Sequence, residues 1–323
     1  MRLISFVGDG HRRLGSFYAD RIIDLQAAHI AGQELLQGAS ITGGARTLAE
    51  AQLPADALQF IEVGASALAV AKAILASASS LPKDLATSAG EPVWYQSNQV
   101  QILAPITNPG KIICIGLNYK DHAIETNMDI PQSPVLFSKF VTAIIGPNQP
   151  IIHPGPQVTQ RLDYEAELVV VVGKTARNVT VEQAMEYVFG YTIMNDISAR
   201  DLQMQSGQWL KGKSLDTFAP IGPALVSADE VPDPHNLRIS LKLNGKLMQD
   251  SNTKNLIFTV PVLISYISKL MTLLPGDIIA TGTPPGVGMA RKPPVYMQPG
   301  DVVSAEISGL GTLTNSIILE ELN

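Results

Sequence analysis

The stretch Leu162-Asp163-Tyr164-Glu165-Ala166-Glu167-Leu168-Val169-Val170-Val171-Val172 sets three acids against an unbroken aliphatic run. Such a run, dominated by β-branched residues, reads as a strand buried on both faces. Strand side chains alternate, so Asp163, Glu165 and Glu167 are expected on one side, the two glutamates about 7 Å apart. Like charges at that spacing beside a buried strand cost free energy unless a cation neutralises them.

Working outward, the next strand is predicted over Phe189-Gly190-Tyr191-Thr192-Ile193-Met194-Asn195 and runs into Asp196. If Asp196 meets Glu165 and Glu167, three hard oxygen donors surround one point, which suits Mg²⁺, Mn²⁺ or Ca²⁺ rather than zinc. The competing reading pairs these acids with Arg200, Arg161 or Lys213 on a solvated face. Upstream lies a second cluster, Gly116-Leu117-Asn118-Tyr119-Lys120-Asp121-His122-Ala123-Ile124-Glu125. On a helix His122 and Glu125 share a face, so the carboxylate can orient and polarise the imidazole as a general base. A spacing of this kind also arises by chance as a surface pair.

The 323 residues exceed the usual size of one core,. A small N-terminal domain over 1–100 and a catalytic domain over 101–323 are expected. The first carries apolar segments near Leu3 to Val7 and Ile22 to Leu25, then an Ala-rich helix over Ala65 to Ala78. In the second, Pro-Gly pairs launch β-branched runs at Ile112, Ile278 and Val302, and Asn244-Gly245 between alternating leucines predicts a hairpin,. Helices are expected to open at Thr180, with Gln183 three residues on, and at Thr259, with Pro261 just inside. The class is therefore α+β, mainly β, and no Gly-rich phosphate loop precedes a helix.

Apolar residues at 46% and charged residues at 16% describe a globular chain,. With 23 Lys and Arg against 29 Asp and Glu and no basic run, nucleic acid is not an expected partner,. Met1 to Asp9 reaches an acid too early for a signal peptide, and the apolar run Leu168 to Val172 is too short to span a bilayer, so no membrane association and a cytoplasmic location are expected. Cys114, the single cysteine, sits among isoleucines and reads as a buried strand thiol,.

Taken together, these motifs resemble the fumarylacetoacetate hydrolase superfamily from about Lys111 to Ser316. Its carriers are Gly116-Leu117-Asn118-Tyr119 with His122 and Glu125, Asp163 to Leu168, Asn195 to Asp201, Lys211-Gly212-Lys213-Ser214, Asp233-Pro234-His235-Asn236-Leu237, and Thr281 to Gly288. The resemblance implies a mixed β-roll catalytic domain in a homodimer, with Glu165, Glu167 and Asp196 holding Mg²⁺ or Mn²⁺, Ca²⁺ being a possible substitute. It further implies that Lys213 and Gln203 face the substrate, that Thr283 lines the pocket, and that His122 and Glu125 ride on a closing segment between Asn118 and Pro134. Phe140 and Leu117 depart from the common pattern, which has proline and, in shorter members, arginine at these places.

Three carboxylates leave an octahedral cation room to chelate a small 2-oxo acid through its keto and carboxyl oxygens. A metal-stabilised enolate then serves several reactions, with Lys213 adding positive charge. Hydrolysis of a C–C bond in an acylpyruvate or fumarylacetoacetate-type β-diketo acid is the leading expectation. Keto-enol tautomerisation of oxaloacetate, favoured by the wording of Pro134–Gly146 and Ser251-Asn252-Thr253, stands next to it, with oxaloacetate decarboxylation. A non-enzymatic Ca²⁺-stabilised module would keep the three ligands but has no use for His122, Glu125 and Lys213.

Overall fold

In the computed structural model, which describes residues 1–38, 40–126 and 129–321, the valine run is the middle of a large sheet. Ala166–Val172 is buried at every position. It pairs antiparallel with Val188–Asn195 on one side and with Ile278–Ala280 on the other. Ile278–Ala280 runs parallel to Ile112–Gly116, which pairs with the edge strand Val135–Ser138. In the other direction Val188–Asn195 pairs with Ala219–Ser227. The sheet has 12 strands, and β-branched residues fill its centre because both faces are covered. A second sheet of five strands is ordered Lys246–Asn252, Arg238–Leu243, Val302–Ile307, Gly311–Leu319, Ile151–His153. The chain is thus mixed helix and strand, mostly sheet.

The division near residue 100 is not a break in the sheet. Arg2–Gly8 pairs with Ala219–Ser227 through Arg2 opposite Val226 and Leu3 opposite Leu225, and on its other side with His11–Tyr18. Gln101–Leu103 also returns to Arg2–Gly8. Residues 1–100 therefore extend the catalytic sheet and add the helices Leu25–Gln37, Gly43–Gln52, Ala57–Val63 and Ala65–Ser77. One apolar cluster, from Leu3 and Phe60 to Val170 and Ile279, crosses the division.

Local signals act as expected at most turns. Asn244 and Gly245 take φ of 50° and 77°, the left-handed values that a two-residue hairpin needs,. Val260–Leu270 is a helix with proline in its first turn. The helix expected at Thr180 does not form; only a single 3₁₀ turn, Ala184–Tyr187, appears. Tertiary pairing acts on both sides of it: the Gly173 N–H donates to the Tyr187 carbonyl, and just upstream the Asn178 and Val179 N–H groups donate to Ser268. Among the described residues no single helix is long and apolar enough to cross a membrane.

The acidic stretch itself is not one strand. Leu162–Asp163 pairs with Ser198–Ala199 in a separate two-stranded ribbon, and the central strand begins only at Ala166. Alternation therefore does not by itself set the side on which Asp163, Glu165 and Glu167 lie, because Tyr164 and Glu165 fall between the two strands.

Candidate active site

Glu165, Glu167 and Asp196 converge nonetheless, with one carboxylate oxygen from each within 4.8 Å of the others. Two backbone devices bring this about: the Glu165 N–H donates to the Asn195 side-chain oxygen at 2.9 Å, and the Asp196 N–H donates to the Glu165 carbonyl at 2.8 Å. All three acids are buried, so the solvated-face reading is wrong in location. It is partly right in partners. Lys213 Nζ reaches Glu165 at 2.8 Å and Asp196 at 2.7 Å, and Arg200 reaches Glu165 at 2.7 Å and Asp163 at 2.8 Å. Lys139 Nζ, fully enclosed, meets Asp196 at 2.5 Å and the Ile197 carbonyl at 3.1 Å.

The charges do not balance. With all four ionised, Asp163, Glu165, Glu167 and Asp196 outnumber Lys139, Arg200 and Lys213, the cations that pair with them among the described residues. Burial alone would raise the Glu165 carboxyl, yet Lys213 and Arg200 outweigh it and hold it at about 2. Glu167 is the opposite case: burial, then the charges of Asp196 and Glu165, push its carboxyl well above the ordinary range. Its bonded partner is the Gly282 N–H at 2.8 Å. Lys213 is enclosed, but Asp196 and Glu165 overcome the burial and raise its ammonium above the usual value, whereas burial and the charge of Lys213 lower Lys139. A buried carboxylate with no cation of its own, beside two that share theirs, is a donor set short of positive charge. Oxygen-only donors at this spacing fit Mg²⁺, Mn²⁺ or Ca²⁺.

His122 and Glu125 do meet, Nδ1 to Oε2 at 3.1 Å, on the short helix Lys120–Thr126. The chain enters that helix through a tightly specified pivot. Gly116 has no room for a side chain, since a Cβ would lie 2.6 Å from the Trp209 ring. Leu117 takes φ of 51°, a strained choice for a branched residue of the kind that collects at functional sites,. Asn118 is fully buried; its side chain donates to the Phe258 and Thr281 carbonyls and accepts from the Phe258 N–H. Residues 127 and 128, part of the expected closing segment, lie outside the described residues.

One loop gathers these parts. Within Thr281 to Met289, the Gly282 N–H holds Glu167, the Gly286 N–H holds Glu125 at 3.0 Å, and the Gly288 and Met289 N–H groups hold Asp163 at 2.7 and 3.0 Å. Asp163 is therefore an anchor for this loop and for Arg200 rather than a member of the metal cluster. Thr283 stands on the loop with its hydroxyl committed, donating to the Ala166 carbonyl at 3.0 Å and accepting from Gln249 at 2.8 Å. Gln203 accepts from Arg200 at 2.9 Å and is buried one turn from it. Phe137 packs edge-on to Trp209 and lies under the Lys213 ammonium at 5.1 Å, a cation–π contact that fixes the stem of Lys213.

Lys139 and Gln249 carry weight that no motif logic assigned to them. Lys139 follows an edge strand, where lysine usually faces solvent. Gln249 lies in a strand of the second sheet, fully buried, its oxygen accepting the Ala166 N–H at 2.9 Å. The departure at Phe140 and the wording of Pro134–Gly146 drew attention to the first region without marking Lys139 itself.

The chain is similar to known proteins in sequence and in fold. The fumarylacetoacetate (FAA) hydrolase C-terminal family matches residues 111–318. The oxaloacetate tautomerase Fahd2a, mitochondrial, of Rattus norvegicus is 44% identical over 301 residues, covering 92% of this chain and 91% of that protein. The oxaloacetate tautomerase fahd2, mitochondrial, of Xenopus laevis is 48% identical over 268 residues, 82% of this chain and 79% of that one. Among solved structures, maleylpyruvate hydrolase from Sphingobium sp. SYK-6, in complex with manganese(II) and pyruvate, superposes with a TM-score of 0.73 at 31% identity, over 99% of this chain and all of that one.

Proposed function

The chain belongs to the fumarylacetoacetate hydrolase family, and from that premise we propose that it is a divalent-metal-dependent oxaloacetate keto-enol tautomerase. The observation that carries the reading is the charge deficit centred on Glu167, in a buried three-carboxylate cluster whose supporting loop also holds the His122–Glu125 pair. The names of the relatives favour tautomerisation over the hydrolysis that the sequence put first.

Mg²⁺ or Mn²⁺ held by Glu165, Glu167 and Asp196 would supply Lewis-acid stabilisation of charge on the substrate's keto oxygen. This chain's own residues do the rest. Lys213, already beside Glu165 and Asp196, offers an ammonium to the same oxygen or to the substrate carboxylate, and Gln203 offers its amide N–H groups. Glu125 accepts from His122 Nδ1, which makes Nε2 the nitrogen that takes a proton from C3 of the keto acid or returns one to the enol,. Tautomerisation then needs one proton moved from C3 and one delivered to the keto oxygen, with no water consumed.

Hydrolysis of an acylpyruvate would use the same His122 to drive water onto the distal carbonyl, and the maleylpyruvate hydrolase likeness keeps that as a second reading. The substrate is a small 2-oxo acid in either case. The homodimer and the cytoplasmic location are retained as proposals from the sequence, although the vertebrate relatives are named as mitochondrial.

The test is a pair of assays with Mg²⁺, with Mn²⁺ and after chelation: loss of the enol absorbance of oxaloacetate, and cleavage of acetylpyruvate. Metal-dependent tautomerisation at least about a hundredfold above the cleavage rate is the expected outcome. Dominant cleavage would replace it with the hydrolase reading, and neither activity with intact Ca²⁺ binding would leave a structural module.

A further inference from the structure

The Lys120–Thr126 helix has seven residues, too few to be stable without tertiary support. Apolar docking offers little: Ala123 is buried, but Ile124 is 80% exposed. Beyond the backbone bridge of Tyr119 to Leu256 at the helix's entrance, two carboxylates one turn apart tie it to the rest of the molecule. Glu125 accepts from the Gly286 N–H with both oxygens, at 3.0 and 3.1 Å. Asp121 accepts at its Oδ2 from the Ser251 hydroxyl at 2.6 Å and the Asn255 amide at 3.0 Å, and Asn255 also donates to Ser251 at 3.1 Å.

The platform carrying those two donors is rigid. Ser251 lies in the second strand of the Asn244-Gly245 hairpin, one residue before its end, and Asn255 closes a 3₁₀ turn capped by Asn252, whose side chain accepts from the Lys254 N–H. Thr253 between them is fully buried and exchanges two bonds with the Leu237 backbone. Charge-assisted bonds from a fixed platform to a short helix set the helix's place.

We propose that Ser251 and Asn255 are positioning residues: through Asp121 they hold the Lys120–Thr126 helix docked, and so place the His122–Glu125 pair. The proposal rests on the reading of that pair as the proton-transfer group. It assigns to the second sheet, which supplies no metal ligand, a part in the reaction.

The decisive experiment exchanges donor and acceptor. Asn255→Asp sets two carboxylates against each other, and Asp121→Asn combined with Asn255→Asp restores the bond with roles reversed. In Asn255→Asp, hydrogen exchange of amides 120–126 is expected to speed up about tenfold, and kcat to fall about tenfold, the worth of one charge-assisted bond. Mn²⁺ affinity should hold, and the double variant should recover both readouts. Unchanged exchange over 120–126, faster exchange throughout the chain, or a double variant as impaired as the single one would each overturn the proposal. His122→Ala, assayed alongside, tests the underlying reading separately: full turnover there removes the pair from the chemistry, while the exchange data still decide whether the tether exists.

Discussion

Two clusters of buried charge, one early in the chain and one at the metal-binding acids, use the same residue types to opposite effect. In the first, Asp24 caps the helix Leu25–Gln37 and is fully buried; Arg13 Nε comes no closer than 3.6 Å, and neither atom of that pair has a hydrogen-bond partner among the described residues. Burial dominates, and the Asp24 carboxyl is pushed up to about 6. In the second, Glu165 is as enclosed but has Lys213 at 2.8 Å and Arg200 at 2.7 Å, and is held at about 2. Less than an ångström of contact decides which force wins. The early cluster is also open to water at its rim, where Arg46 pairs with both Glu91 and Glu50, whereas the later one is enclosed and leaves Glu167 with no ion-pair partner among the described residues. A deficit that water can screen marks a structural network, and an enclosed one marks a place for a ligand.

The sharpest way to break that comparison is to neutralise two metal-binding acids singly. Glu167→Gln and Asp196→Asn should each cut Mn²⁺ affinity by more than about a hundredfold, beyond what outer-sphere partners are worth, and abolish activity. Their stabilities should move in opposite directions. Asp196→Asn leaves Lys139 and Lys213 short of a partner and should cost about 3 kcal/mol in the metal-free protein,. Glu167→Gln removes the raised carboxyl and should stabilise it. Because the folded value of Glu167 is raised, its ionisation penalty is absent below about pH 4 and grows as pH rises, so the melting-temperature gap should widen from pH 4 to pH 8,. A gap of constant size would mean that Glu167 already has a cation.

A smaller effect is expected at Lys139. Lys139→Met keeps the stem but loses the bonds to Asp196 and the Ile197 carbonyl. A drop in kcat/KM of about ten- to hundredfold is expected from mis-set ligand geometry. Unaltered kinetics would reduce Lys139 to a filler of space and leave Lys213 as the only ammonium that matters.

How much of this was legible in the sequence follows from the range of the forces. The valine strand, the Asn244-Gly245 hairpin and the helix after Thr259 were readable because propensity and turn chemistry are local. The convergence of Glu165, Glu167 and Asp196 was readable only as a coincidence that needed a motif match to become specific. The helix at Thr180 failed because its flanks are tied elsewhere, Asn178 and Val179 to Ser268, far off in sequence, and the Tyr187 carbonyl to Gly173. Asp163 does lie beside Glu165, the two sharing Arg200, but the strand break at Tyr164 that brings this about could not be read from alternation. The loop after Thr281 was read through its family motif and the Thr283 side chain, yet its contribution is backbone N–H groups aimed at three carboxylates, and no side-chain pattern records those.

The smallest effect on function, and the cleanest on stability, is expected at Asp24. Asn fills the same volume and keeps an oxygen for the Ala27 N–H, so Asp24→Asn preserves the helix cap,. What it removes is a charge that burial disfavours. The folded value of about 6 lies above the ordinary 3.8, so the protonated form's advantage is full below about pH 4 and lost as pH rises through about 6. Wild type therefore gives up about 3 kcal/mol across that window, and the Asn variant, which does not titrate, keeps it. Denaturant midpoints should coincide near pH 4 and diverge by pH 8 in favour of Asp24→Asn, with turnover unchanged at both. Arg13 retains Glu91 at 3.3 Å, so the variant does not strand it. If Asp24→Asn were instead the less stable protein at pH 8, the 3.6 Å approach of Arg13 would count as a working ion pair, and the contrast between the two clusters would rest on Glu167 alone.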